Sequence, residues 1–270
     1  MDWFGPGNGN YDGTMGTAGV HRAATAFSGA ASVYEQARPD YPPEALSWLH
    51  ERLELGPGRR VLDLAAGTGK LTRGLLFPGA AVIAVEPVEG MRLTLARAVP
   101  GAEVVAGVAQ AIPLGSETVD AITVAQALHW FATERAVDEM HRVLRRGSRL
   151  AVVWNRRDLS DPLQATLNRL MAPLQGDTPS GGSGEWRRIL HDAGGASPRF
   201  VPDAQFRASW RHALDVEGVA GRVASVSFVA GMDPTGRERL LDEVRAEARR
   251  YPSPLTLPYT TQIFSYRRAD

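Results

Sequence analysis

The sequence predicts an α/β fold built on a doubly wound, mainly parallel sheet. Three observations carry this. Between residues 56 and 155, short apolar runs alternate with amphipathic stretches, the pattern of βαβ units. The first run, Val61-Leu62-Asp63-Leu64, leads into a glycine turn, Gly67-Thr68-Gly69. The second run ends in an acid, Glu86, 19 positions beyond Gly67.

Residues 1–20 are rich in Gly, Asn and Thr and read as a flexible tail or lid. Residues 21–55 read as N-terminal cover helices. Ala26, Phe27, Ala30, Ala31 and Tyr34 have broadly helical spacing, Pro39, Pro42 and Pro43 interrupt it, and Pro43 suits a helix start. Ala45, Leu46, Leu49 and Leu53 then form a helical stripe. Residues 56–155 are the expected core. Strands are predicted at Val61–Leu64, Ala81–Val85, Val104–Ala106, Val119–Ala125 and Leu150–Trp154. Helices are predicted at about Gly69–Leu76, Val88–Ala98 and Glu134–Leu144. Each βαβ crossover should be right-handed.

Residues 156–270 are expected to complete the sheet and to place a helical cap over part of the site. Helices are predicted over 160–174, Glu185–Asp192, 214–230 and 236–250, with a polar loop over Gly176–Gly184. Strands are predicted at Gln205–Trp210 and Thr256–Tyr266.

Bulk composition narrows the classes. The 270 residues are 44% hydrophobic and 22% charged, enough for a sizeable soluble core. Thirty basic residues balance thirty acidic ones, which argues against nucleic acid as the main partner. Cysteine is absent, so thiolate metal sites, disulfides and cysteine nucleophiles are excluded. Lys70 is the only lysine. No apolar run reaches the roughly 18 residues of a membrane helix, and the first residues do not read as a signal peptide. A cytoplasmic protein without a membrane partner is expected. The histidines lack partners at ligand spacing, so no metal site is expected.

A glycine turn between strand and helix lets a ligand approach the backbone, and in such sheets the ligand lies beyond the carboxyl ends of the strands. A carboxylate at Glu86 can accept hydrogen bonds from ribose hydroxyls. Two residues separate the nucleotide classes. Asp63 would repel a pyrophosphate but suits a sulfonium and an ammonium. Thr72 stands where a dinucleotide fingerprint has its third glycine.

Val61 to Leu71 resembles the first S-adenosylmethionine (SAM)-binding motif of class I methyltransferases of the type 11 and UbiE-like kind. Glu86-Pro87-Val88-Glu89-Gly90-Met91 resembles their second motif, and Gly107 to Pro113 their third. Val119 to Ile122 with Ala125 to Phe131 is similar to their fourth strand and its loop. The resemblance spans about residues 27–155. It implies a Rossmann-like sheet of seven strands, the last antiparallel, with SAM as cofactor and S-adenosylhomocysteine as product. It places the cofactor against Asp63, Ala65, Gly67, Thr68, Gly69, Glu86, Pro87, Met91, Ala109, Gln110 and Gln126. Val108 departs from the family's frequent Asp, and backbone near Ala109 or the Gln110 side chain would have to replace its adenine contact. Phe27, Tyr34 and Arg38 before Pro39-Asp40-Tyr41-Pro42 resemble the family's N-terminal cover, which implies Tyr34 and Arg38 near the cofactor's methionine end.

Gln126 to Phe131 resembles the same stretch of methyltransferases acting on small carboxylates, which implies a small-molecule acceptor with transfer to a carboxylate or hydroxyl oxygen. His129 follows the fourth strand and is a candidate general base; its other reading is a shaping residue beside Trp130 and Phe131. Trp130, Phe131, Trp154 and Asn155 are candidate acceptor contacts, and Trp210 and Tyr259 are weighed against plain packing. His141 reads as a solvated helix residue. A monomer or homodimer is expected. The rival readings are an NAD-dependent oxidoreductase and a protein of this fold that binds SAM without methyl transfer.

Overall fold

In a computed structural model, described for residues 35, 37–179, 184–193 and 197–270, the chain forms a seven-stranded sheet flanked by helices. The expected tail over 1–20 and the Tyr34 position lie outside the described residues. The strands are β1 (Arg60–Leu64), β2 (Ala81–Val85), β3 (Glu103–Val105), β4 (Val119–Ala125), β5 (Leu144–Arg157), β6 (Phe200–Leu214) and β7 (Leu255–Arg268). The helices are α1 (Pro43–Arg52), α2 (Thr72–Leu75), α3 (Glu89–Ala98), α4 (Glu134–Val143), α5 (Pro162–Met171), α6 (Glu185–Asp192), α7 (Val216–Ala224), α8 (Ser227–Ala230) and α9 (Pro234–Ala248).

The sheet order is β3-β2-β1-β4-β5-β7-β6. β3, β2, β1, β4 and β5 run parallel. β7 is antiparallel to both neighbours, β5 and β6. Parallel strands covered on both faces become continuous apolar runs, and the two-residue period sends alternate side chains to opposite sides. Thus Leu62, Leu64, Ile83, Val85, Ile122, Val124, Leu150 and Val152 share one core with α4 and α6. Val61, Val82, Ala121, Ala151 and Val153 pack on the other face with α1 and Leu75 of α2. A third core joins α5, α7, α8 and α9 to the start of β7 through Leu163, Leu167, Val223, Val244 and Leu257. Asp161, Asp215 and Asp233 cap α5, α7 and α9, each accepting from the backbone N–H three residues on.

Several expected boundaries change. The helix expected from Gly69 starts at Thr72, because Gly69 still belongs to the turn at φ +90°. β5 extends through polar Asn155, Arg156 and Arg157 because β7 pairs with it as far as Arg157↔Tyr259. β6 runs over 15 residues rather than six, held along its length by β7. The helix expected over 214–230 is broken between Ala224 and Ser227, where Val226 adopts an extended backbone. α6, grouped by position with the cap helices, instead sends Trp186 and Leu190 into the core beneath the sheet. His141 is not solvated. Its Nε2 lies 2.9 Å from the Ala269 carbonyl, its ring meets Phe200 edge-on, and burial lowers its pKa.

Candidate active site

A cavity of about 300 Å³ opens at the carboxyl ends of the parallel strands, within the range of small-ligand sites. Its wall on one side is the β1 turn and the β2 end. Gly67 has φ +60° and open space where a Cβ would stand. Its N–H donates to Glu86 Oε2 at 2.9 Å, and the Val88 N–H donates to Oε1 at 2.9 Å. Both carboxylate oxygens are therefore aimed by backbone, and each keeps lone-pair capacity toward the cavity. Glu86 is buried, and burial raises its pKa.

Two of the four non-glycine residues with left-handed backbone among the described residues stand at this site: Ala65 after β1 (φ 57°) and Gln126 after β4 (φ 58°). Such a conformation costs roughly 1–2 kcal/mol. It turns the chain from the strand end into the cavity wall, and both residues line it. Their N–H groups remain bonded, to the Val85 and Val153 carbonyls.

The wall beyond Glu86 includes Pro87, Val88, Met91 and Gly107 to Gln110. Gln110 Oε1 is buried without a hydrogen-bond partner among the described residues, as is Thr68 Oγ1. The opposite end is aromatic. His129 sits on a single 3₁₀ turn, Leu128–Trp130, with its ring 4.7 Å from Trp130 and 5.4 Å from Trp154. Phe131 and Phe228 complete this side.

A family model described as a methyltransferase domain matches residues 62–152. An uncharacterized methyltransferase of Mycobacterium tuberculosis is 36% identical over 240 residues, covering 87% of this chain and 92% of the relative. This chain belongs to the methyltransferase family. A methyltransferase-like protein of Schizosaccharomyces pombe is 32% identical over 238 residues, covering 86% of this chain and 91% of the relative. A solved structure provisionally named a type II methyltransferase of Anaeromyxobacter dehalogenans matches with TM-score 0.59 and 25% identity, over 86% of this chain and 97% of that one. The family assignment removes the oxidoreductase reading.

The methyltransferase brings most of the expected residues together. Arg38, Ala65, Gly67, Thr68, Glu86, Pro87, Met91, Ala109, Gln110, Gln126, His129, Trp130, Phe131 and Trp154 all line the cavity. Three do not, for identifiable reasons. Asp63 lies beneath the turn, 1% exposed, accepting from the Thr72 hydroxyl at 2.6 Å and the Thr123 hydroxyl at 2.9 Å. It ties β1 to α2 and β4, and burial pushes its pKa up to about 6. Asp63 and Thr72, read above as two separate signals, are therefore one contact. Gly69 faces α3: a Cβ there would stand 2.9 Å from Val99 Cγ2 and 3.1 Å from Leu95 Cγ. Asn155 points into a smaller neighbouring pocket, donating to the Asp40 carbonyl and accepting from Thr261. Trp210 is also off the cavity, with its Nε1 on Thr261 and its ring on Tyr259, whose own hydroxyl accepts from Arg222.

Other wall residues went unread in the sequence. Lys70 lines the cavity and pairs with Asp40 at 3.1 Å; its standing as the only lysine, directly after Gly69, was a usable signal. Tyr41, Arg156 and Arg157 line it too, together with Gln175, Thr178, Pro179 and Val226 to Phe228 from the connections around the cap helices. Two consecutive arginines closing a buried strand were a second signal. The cap contacts left none, because they come from segments distant in sequence. Among the described residues, no cluster of three His, Cys, Asp or Glu side chains could hold a metal ion, and no helix is long and apolar enough to cross a membrane.

Proposed function

We propose that this methyltransferase uses S-adenosylmethionine and transfers the methyl group to a hydroxyl or carboxylate oxygen of a small-molecule acceptor. The observation that carries the reading is Glu86: a buried carboxylate at the end of β2, held by the Gly67 and Val88 N–H groups and facing the cavity. That arrangement suits a pair of ribose hydroxyls. The unpartnered Gln110 Oε1 suits the adenine amine, replacing the acid that Val108 does not supply. Met91, 3% exposed, and Pro87 give this wall an apolar surface for a flat base. Arg38 donates to the Ser225 carbonyl at 2.7 Å, which fixes it at the cavity edge as a candidate for the cofactor's carboxylate.

When bound, the cofactor would supply a sulfonium-activated methyl carbon, to which an acceptor oxygen would bond while the sulfur leaves with the carbon–sulfur pair. What remains for the protein is alignment and exclusion of water. Trp130, Phe131, Trp154 and Phe228 supply an apolar enclosure at the acceptor end. A hydroxyl acceptor loses a proton during transfer, and His129 lies in the wall to take it; a carboxylate acceptor needs no base. The tilted packing of the His129 ring against both Trp130 and Trp154 favours the shaping role.

Calorimetric titration with S-adenosylmethionine and S-adenosylhomocysteine tests the cofactor. Micromolar binding is expected, weakened at least about tenfold by Glu86→Ala, because a hydrogen bond to a charged group is worth roughly 1.5–3 kcal/mol. No binding of either ligand by a folded wild type would sink the reading.

A further inference from the structure

The acceptor end of the cavity is rich in cations. Arg156 and Arg157 close β5, and both line the wall although neighbouring strand residues point to opposite faces. The cavity therefore wraps the end of the strand. Arg156 stacks its guanidinium 4.9 Å above the Trp154 ring, a cation–π contact that keeps the head in place. Arg157 is half-buried, and its one hydrogen bond among the described residues runs from Nη2 to Asn168 Oδ1 at 3.0 Å. Its electrostatic neighbours are Arg222 and the Tyr259 hydroxyl. Burial, with Arg222 beside it, draws the Arg157 pKa down to about 10.

Among the described residues no carboxylate pairs with Arg157, and a desolvated guanidinium left without one is costly unless a ligand supplies it. The cofactor's own carboxylate has other cations to meet. Arg38 and Lys70, nearer the β1 turn, already line the part of the wall that the cofactor's methionine end would face.

Resting on the methyl-transfer reading, we propose that the acceptor bears a carboxylate anchored by Arg157, with the aromatic wall holding an apolar body. The planar fork of the guanidinium matches a carboxylate. With one Nη already used on Asn168, the end suits a single carboxylate rather than a dianionic phosphate.

The test is calorimetry on the wild type, with and without saturating S-adenosylhomocysteine. The probes are benzoate, phenylacetate and hexanoate, each beside its own uncharged amide, with phenyl phosphate as control. At least one carboxylate should bind ten times more tightly than its amide. Arg157→Gln should lower that affinity at least tenfold while leaving S-adenosylhomocysteine affinity within twofold, and Arg157→Lys should recover part of it. The proposal is overturned if no carboxylate outbinds its amide, if Arg157→Gln leaves carboxylate binding unchanged, if it weakens S-adenosylhomocysteine tenfold instead, or if phenyl phosphate binds ten times better than phenylacetate. The carboxylate–amide comparison uses the wild type and stands even if the variant fails to fold. Carboxylate binding without any S-adenosylhomocysteine binding would leave the anion site standing and sink the methyl-transfer reading alone.

Discussion

The two halves of the cavity are built differently. On the cofactor side, function sits on backbone: the Gly67 and Val88 N–H groups hold Glu86, and the Asp63 carboxylate under the turn is held by two hydroxyls. On the acceptor side, function sits on long side chains, Arg156 over an indole and Arg157 on one amide oxygen, facing segments from the cap. The first half couples ligand geometry to fold stability. The second can change its chemistry by changing side chains.

Gly69→Val should break that contrast hardest, by damaging the cofactor half from behind. The added side chain meets Val99 and Leu95 and must hold φ +90°. A loss of about 3 kcal/mol in unfolding free energy is expected, read by denaturant titration; an unchanged midpoint would show that the turn relaxes freely.

Asp63 sharpens the comparison through pH. Its carboxyl is raised from 3.8 to about 6, so between those values the folded state holds more proton than the unfolded state. Its contribution to stability is therefore greatest at low pH. It declines as pH rises from about 4 to about 6, by up to about 3 kcal/mol, and is flat above. Asp63→Asn removes the titration. The difference in unfolding free energy between variant and wild type should shift in the variant's favour across that window, and a pH-independent difference would show that Asp63 does not titrate there.

Much of the cofactor half was legible in the sequence. The bounds of β2 and β4 match their apolar runs, and Gly67 and Glu86, singled out by spacing, line one cavity with Gln110, singled out by the family resemblance. What spacing does not convey is direction. Asp63 and Gly69 sit in the right segment but face down into Thr72 and Thr123 or back into α3. The acceptor half was less legible because β5 is drawn out through Asn155-Arg156-Arg157 by a strand about 100 residues later in the chain, and its wall is finished by residues 175–179 and 226–228. No local pattern encodes such a meeting.

Two smaller effects test the acceptor half. His129→Ala should raise the acceptor KM about tenfold, near 1.4 kcal/mol, while the kcat profile from about pH 6 to 9 keeps its shape; a lost acidic limb would assign His129 as the base. Arg245→Ala, in the cap, removes pairs with Glu217, Glu238 and Asp242. These acids are exposed, so a cost of about 1 kcal/mol or less is expected. S-adenosylhomocysteine affinity should not move, and a change there would show that the cap is coupled to the cofactor half.

The position of Lys70 gives the molecule a reporter that needs no engineering. It is the only side-chain amine in the chain, and it stands in the cavity wall, 13% exposed, against Asp40. An amine-acylating reagent thus has a single internal target. The mass increment at that residue, with and without a ligand, becomes a direct gauge of cavity occupancy in the unmodified protein.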